Sequence, residues 1–245
     1  MTEERISDGT RKGLSAAMER AWQRLARPGT WWTGAERLAI AAETRQADAC
    51  GLCGARKEAL SPNHVEGRHD SLCVLDDVVV EAIHRIRTDA GRLSSGWLKG
   101  LLEQGLEDTH YVELVGVVST ISALDAVDLS MGHQQRALPD PVAGEPTRHR
   151  PPGARMGLGW LPTLSADDRT PQEPDFFSKY GDYNVQKAMS LVPDEVMGFF
   201  DLDTELYFYE RELPQRAEQE AGRAITPMQI EMIAARAASL NGCHY

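Results

Sequence analysis

Apolar residues recur at three-to-four spacing along six stretches of the chain, the period that turns one face of an α-helix inward. The stretches are AERLAIAAETRQA (35–47), DDVVVEAIHRIRTD (76–89), SSGWLKGLLEQG (94–105), HYVELVGVVSTISALDAV (110–127), NVQKAMSLVPDEVMGFFDLDTELYFYE (184–210) and PMQIEMIAARAASL (227–240). β-Branched residues crowd VELVGVVSTIS, but its length and lack of strict alternation predict a buried helix. No set of short alternating runs separated by Asn-Gly or Asp-Gly turns suggests a sheet. The predicted fold is all-α.

Proline divides this pattern. Eight of the thirteen prolines fall between Pro139 and Pro174, where missing backbone donors and a fixed φ exclude a regular helix. Trp160, Leu161 and Leu164 lie in the same segment, so it is expected to be a strap packed across the surface. The expected organisation is an N-terminal helical lobe over 1–137, the strap over 138–175 and a C-terminal helical lobe over 176–245.

The two lobes share a local repeat. Thr33-Gly-Ala-Glu36 opens a helix as a capping box, and Thr226-Pro227-Met228-Gln229 repeats the device with proline at the first helical position. A cysteine follows seventeen residues after each threonine, at Cys50 and Cys243, and Ile40-Ala41-Ala42 aligns with Ile233-Ala234-Ala235. Asp48 and Asn241 sit two positions before the cysteines, each able to cap a following helix. Each copy therefore predicts a helix, a turn, and a cysteine at the start of a second helix.

Composition narrows the partners. The net charge of −11 and pI near 5.1 repel phosphate backbones, which argues against nucleic acid. The N-terminus has no apolar signal segment, and the apolar stretch Leu114–Leu124 is far below the ~20 residues of a membrane span. A cytoplasmic protein without a membrane partner is expected.

Four cysteines are too few for a disulfide-stapled scaffold. Cys50-Gly51-Leu52-Cys53 at a helix N-terminus would place both sulfurs in the first turn. Unpaired amides and the helix dipole there favour a thiolate. A thiolate can attack a peroxide, and the neighbouring thiol can condense with the sulfenic acid to a disulfide. A nearby glutamate or histidine can shuttle the proton. Half a zinc site is a rival; no second Cys-x-x-Cys or His-x-x-x-His completes it, although His64 and His69 lie downstream. Two buried structural cysteines are another. Cys73 is expected to be a small core residue.

The segment from Gln229 to Tyr245, with Asn241-Gly242-Cys243-His244-Tyr245, resembles the active-site entry of the alkylhydroperoxidase D / carboxymuconolactone decarboxylase family. Glu231, twelve residues before Cys243, matches the family's proton-relay glutamate, and Cys243 its resolving cysteine. The resemblance places the peroxidatic residue at position 246, beyond Tyr245. A completing selenocysteine, a gene fragment and a natural truncation each account for that ending. The first copy resembles the same motif but has Leu38 at the relay position and Lys57 at the histidine position. There the resemblance implies Cys53 as peroxidatic and Cys50 as resolving, with Glu36, Glu43 and Lys57 as relay or thiolate-stabilising candidates; His244 is the candidate in the second. A weaker echo around Glu113, with Asp125 in place of a cysteine, reads as structural. The specific likeness covers about twenty residues in each of two places.

The implied protein is a peroxidase or disulfide oxidoreductase, a redox-active, antioxidant enzyme of a family that commonly oligomerises.

 It would act on a hydroperoxide and be recycled by a thioredoxin- or lipoyl-type thiol reductant, with no cofactor and no metal, and would form a homo-oligomer. A lyase of the carboxymuconolactone decarboxylase kind and a non-catalytic helical scaffold are the rivals. Trp31-Trp32 and the aromatics of FFDLDTELYFYE read as packing residues, and Glu218 and Glu220 as a solvated face. His84 and His110 read as structural or exposed residues of helices; His133 and His149 have no identifiable partner.

Overall fold

The computed structural model describes residues 11–157, 159–207 and 224–243, and its described residues are helical without a β-ladder. Among the described residues ten α-helices follow one another: α1 (Lys12–Ala26), α2 (Gly34–Gln46), α3 (Gly51–Glu58), α4 (Asp77–Asp89), α5 (Ser95–Glu103), α6 (Asp108–Ser130), α7 (Phe176–Tyr180), α8 (Asn184–Lys187), α9 (Pro193–Leu206) and α10 (Pro227–Leu240). The all-α expectation holds.

The longest helix, α6, is the axis. Tyr111, Val112, Leu114, Val117, Val118, Ile121 and Leu124 are buried around its circumference, because α2, α4, α9 and α1 pack on different sides of it. The β-branched cluster therefore forms a helix that is apolar all round. The amphipathic α1 buries Ala17, Met18, Ala21, Trp22 and Leu25 against α9 and α2. The expected set lacks α1, although its buried residues Ala17, Met18, Ala21, Trp22 and Leu25 recur at helical spacing. The expected helix over 184–210 is broken at Pro193, which opens α9 at its first turn and leaves Val192 non-helical.

Both expected capping boxes are present, at Thr33 with Glu36 and at Thr226 with Gln229. The expected caps two residues before the cysteines are not. Asp48 lies in a short 3-10 turn and pairs with Arg87, while Cys50 itself is the N-cap residue of α3. Asn241 closes α10 as its C-cap.

The proline-rich segment lies in extended form along the helices. Val142 and Arg148 donate their backbone N–H groups to the carbonyls of Ala26 and Thr30, at 2.8 and 2.7 Å. Arg150 forks onto Asp108 at the start of α6, and Leu164 is fully buried. A single apolar cluster runs from Ala17 to Leu202 and takes in both sides of the strap.

A charged knot sits inside this core. Arg37 of α2 places Nη1 at 2.5 Å from Glu113 of α6 and 2.7 Å from Glu195 of α9. Arg24 of α1 reaches the same Glu195 at 2.7 Å, and Trp31 N–H donates to Glu113. Arg37, Glu113 and Glu195 are all buried. Burial pushes the Glu113 carboxyl up; for Glu195 burial does the same, but Arg24 and Arg37 outweigh it and hold the group below its ordinary value. Glycine at positions 29 and 116 makes the room: a Cβ there would lie 1.9 Å from Glu113 Oε1 and 2.3 Å from Glu195 Oε2. Removing the Arg37 charge would leave Glu113 buried without a counter-ion and Glu195 with Arg24 alone, so Arg37→Met is expected to lower unfolding free energy by about 3–5 kcal/mol. Urea unfolding followed by circular dichroism would measure it; a loss below about 1 kcal/mol, the ordinary level of an exposed pair, would contradict the account.

Candidate functional site

The turn from α2 into α3 brings Cys50 and Cys53 to the first turn of a helix, as their spacing predicts. Both are buried and unpaired. Two segments close over them. The loop before α4 contributes His69, whose Nδ1 lies 3.5 Å from each sulfur. The inner face of α4 contributes His84, whose Nδ1 lies 3.2 Å from Cys53 Sγ. The two imidazole rings are 4.3 Å apart, and the four sulfur and nitrogen atoms lie within 4.8 Å of one another.

The far nitrogen of each histidine meets a carboxylate. His84 Nε2 is 2.8 Å from Glu43 Oε1, and His69 Nε2 is 2.8 Å from Glu81 Oε2. These contacts fix the rings and aim both Nδ1 atoms at the sulfurs. Glu43 also accepts from Leu72 N–H at 3.0 Å, tying α2 to the loop. Glu81 accepts from Arg56 of α3 at 2.7 Å and from Trp97 of α5 at 3.1 Å. Asp70 accepts from Gly51 N–H at 2.7 Å, and its own N–H points at Cys50 Sγ at 3.4 Å.

The electrostatics follow from these partners. Burial opposes a charge on His69, but hydrogen bonds to Cys53, Glu81 and Cys50 outweigh it and hold the imidazolium up at about 10. Burial also opposes a charge on Glu81, yet His69, Arg56 and Trp97 hold it at about 2. Burial pushes the Cys50 thiol up, while backbone N–H groups of Cys53 and Asp70 and the His69 ring bring it below its ordinary value. Burial, with the neighbouring His69 charge, lowers His84. A polar cavity of about 290 Å³ has His69 and Glu81 in its wall, beside Cys73 and Asp77.

Of the relay candidates in the first copy, the fold brings Glu43 to the cysteines. Glu36 is spent in the capping box, and Lys57 is exposed beyond Cys53 on α3. Leu38 is a core residue. His84 is not a bystander of its helix, as expected from the sequence, but a partner of Cys53. Cys73 is exposed rather than in the core: it sits in the turn before α4 with a left-handed φ of 58°. His64 is exposed. His149 pairs with Glu173, and His110 packs against Trp31 and Trp32.

The second copy stands apart from this cluster. Glu231 accepts a hydrogen bond from Tyr207 Oη, and Cys243 is exposed just past the end of α10. His244, Glu218 and Glu220 lie outside the described residues. The echo around Glu113 is the charged knot of the core, and Asp125 binds Arg45 through both oxygens.

No family model matches the chain, and neither the curated proteins nor the solved structures include a significant match. Among the described residues no helix is long and apolar enough to cross a membrane.

Glu43 is the buried link between α2, the loop and α4. Glu43→Leu would strand His84 Nε2 and Leu72 N–H without an acceptor, at about 1–3 kcal/mol for each unsatisfied buried group. Denaturant unfolding should show a loss of about 2–6 kcal/mol for the two groups together, and Glu43→Gln, which keeps an acceptor, should lose less. Equal losses for the two variants would contradict the hydrogen-bond account.

Proposed function

We propose that the Cys50–Cys53 pair is a thiol redox centre that reduces hydroperoxides, with Cys53 as the attacking sulfur and Cys50 as the resolving one. The observation that carries the reading is the line Cys53–His84–Glu43, in which a carboxylate orients an imidazole whose other nitrogen faces a sulfur at hydrogen-bond range. That is the arrangement of an activated nucleophile, its base and the group that orients the base.

The chemistry balances with a hydroperoxide as oxidant. The Cys53 thiolate attacks the terminal oxygen, the O–O bond breaks, and the departing alkoxide takes a proton from the imidazolium. Cys53 is then a sulfenic acid. The Cys50 sulfur displaces its hydroxyl as water and forms the disulfide. Two electrons from a thioredoxin- or lipoyl-type dithiol restore both thiols. The family resemblance carried by the two repeats supports the same chemistry, with Cys53 second in its pair and Glu43 in place of the family's relay glutamate. On this reading the C-terminal copy is not needed for the first site to work.

Cys53→Ser should abolish peroxide consumption by the full chain. Cys50→Ser should retain one round of reaction and accumulate a sulfenic acid on Cys53 that dimedone traps, seen by mass spectrometry. Replacing His84 by Gln should slow the reaction by about 10²–10⁴-fold, the usual contribution of a positioned acid–base group. Peroxide consumption that persists in Cys53→Ser would sink the proposal.

A further inference from the structure

The same four side chains have a second chemistry. Two sulfurs and two imidazole nitrogens converge on one point, and no carboxylate oxygen is among the converging atoms. Thiolate and imidazole together form the donor set that favours Zn²⁺. A tetrahedral zinc with Zn–S of about 2.3 Å and Zn–N of about 2.0–2.1 Å sets each S···N edge at about 3.5–3.6 Å. Three of the four such edges are 3.5, 3.5 and 3.2 Å, and all four atoms lie within 4.8 Å of one another.

The surroundings are those of a ligand shell. Each histidine offers Nδ1 to the cluster while its Nε2 meets a carboxylate, Glu81 for His69 and Glu43 for His84. Such contacts fix the tautomer that leaves the ligating nitrogen free and raise its basicity. The Asp70 N–H points at Cys50 Sγ, as backbone amides do toward a thiolate that carries charge. The four ligands come from the start of α3, the loop over residues 59–76 and the middle of α4, so one ion would pin that loop to two helices. The sequence alone offered no second pair to complete the site because its histidines lie 16 and 31 residues beyond Cys53.

We propose that the reduced protein binds one Zn²⁺ through Cys50, Cys53, His69 and His84, and that hydroperoxide oxidation of the two thiolates expels it. The binding step stands on the geometry alone; the expulsion step rests on the thiol-redox reading above. The expulsion is Zn(S-Cys)₂ + ROOH + 2H⁺ → Cys–S–S–Cys + ROH + H₂O + Zn²⁺. The peroxide is reduced, the two sulfurs are oxidised, and the histidines lose their ion because two of its four ligands are gone. Zinc would thus keep the pair closed to solvent reagents until an oxidant reaches it.

The test uses the full chain purified under reducing conditions. Elemental analysis should find about one zinc per chain, and Co²⁺ exchanged into the site should give a thiolate charge-transfer band with tetrahedral d–d bands. Glu81→Gln, which keeps all four ligands and is gentler on folding than removing one, should weaken Zn²⁺ affinity about 10–100-fold in a competition with a chromogenic chelator. Hydrogen peroxide should release zinc in step with loss of two alkylatable thiols. Reduced, alkylatable protein that holds no zinc and gives no cobalt spectrum would overturn the metal site, even if peroxide still forms the Cys50–Cys53 disulfide. Zinc that stays bound, with both thiols unreacted under peroxide, would overturn the expulsion step and the redox reading while leaving the metal site in place.

Discussion

Arg37 is enclosed by carboxylates from two other helices, and the packing of the bundle is organised around that enclosure. A guanidinium taken out of water is costly unless its charge is matched, and here Glu113 and Glu195 match it at 2.5 and 2.7 Å. The matching works only when α2, α6 and α9 hold one relative position, and Arg24 adds α1 to the set. Apolar burial supplies the attraction among these helices, but it would tolerate sliding. The charged knot does not. It specifies the register in which the axis helix α6 meets its neighbours, and thereby the position of α4 and of the turn that carries the cysteines.

Around the cysteines the same logic operates at smaller scale. Glu43 and Glu81 are placed on helices, and each orients a histidine from behind. The sulfurs come from a helix start, whose first backbone N–H groups have no partner within the helix and meet Asp70 and Cys50 instead. Rigid elements therefore hold every member of the cluster except His69, which rides on the loop and is held there by Glu81 and by the neighbouring Asp70 contacts. A redox pair and a metal site ask for the same preorganisation, namely sulfurs and imidazoles fixed at short range in a buried space.

The helices were legible because their signals are local. Capping boxes at Thr33 and Thr226, proline at position 227 and apolar spacing in α4, α5 and α6 each act within a few residues. Boundaries were misread where a distant partner decided them: Asp48 pairs with Arg87 across 39 residues instead of capping α3. The cysteine pair was visible in the sequence for the same local reason. Of its histidines, His69 was noted only as a downstream possibility beside His64, and His84 was missed, because it sits on a face of α4 whose burial depends on where α2 and α3 come to rest. The one available signal was a histidine in line with Val80 on the apolar stripe of that helix, and it admitted a plain structural reading equally well.

The charge balance of the core also has an order in time. Arg37 and Glu113 are 76 residues apart, whereas Glu195 is 158 residues from Arg37. During synthesis the chain reaches α6 with that first pair available, while Arg24 still lacks its carboxylate. The strap, whose Val142 and Arg148 bind the carbonyls of Ala26 and Thr30, is made next, and α9 follows it. A ribosome that stalls within the strap would therefore hold an apolar, unevenly charged half-core, and it is α9 that completes it.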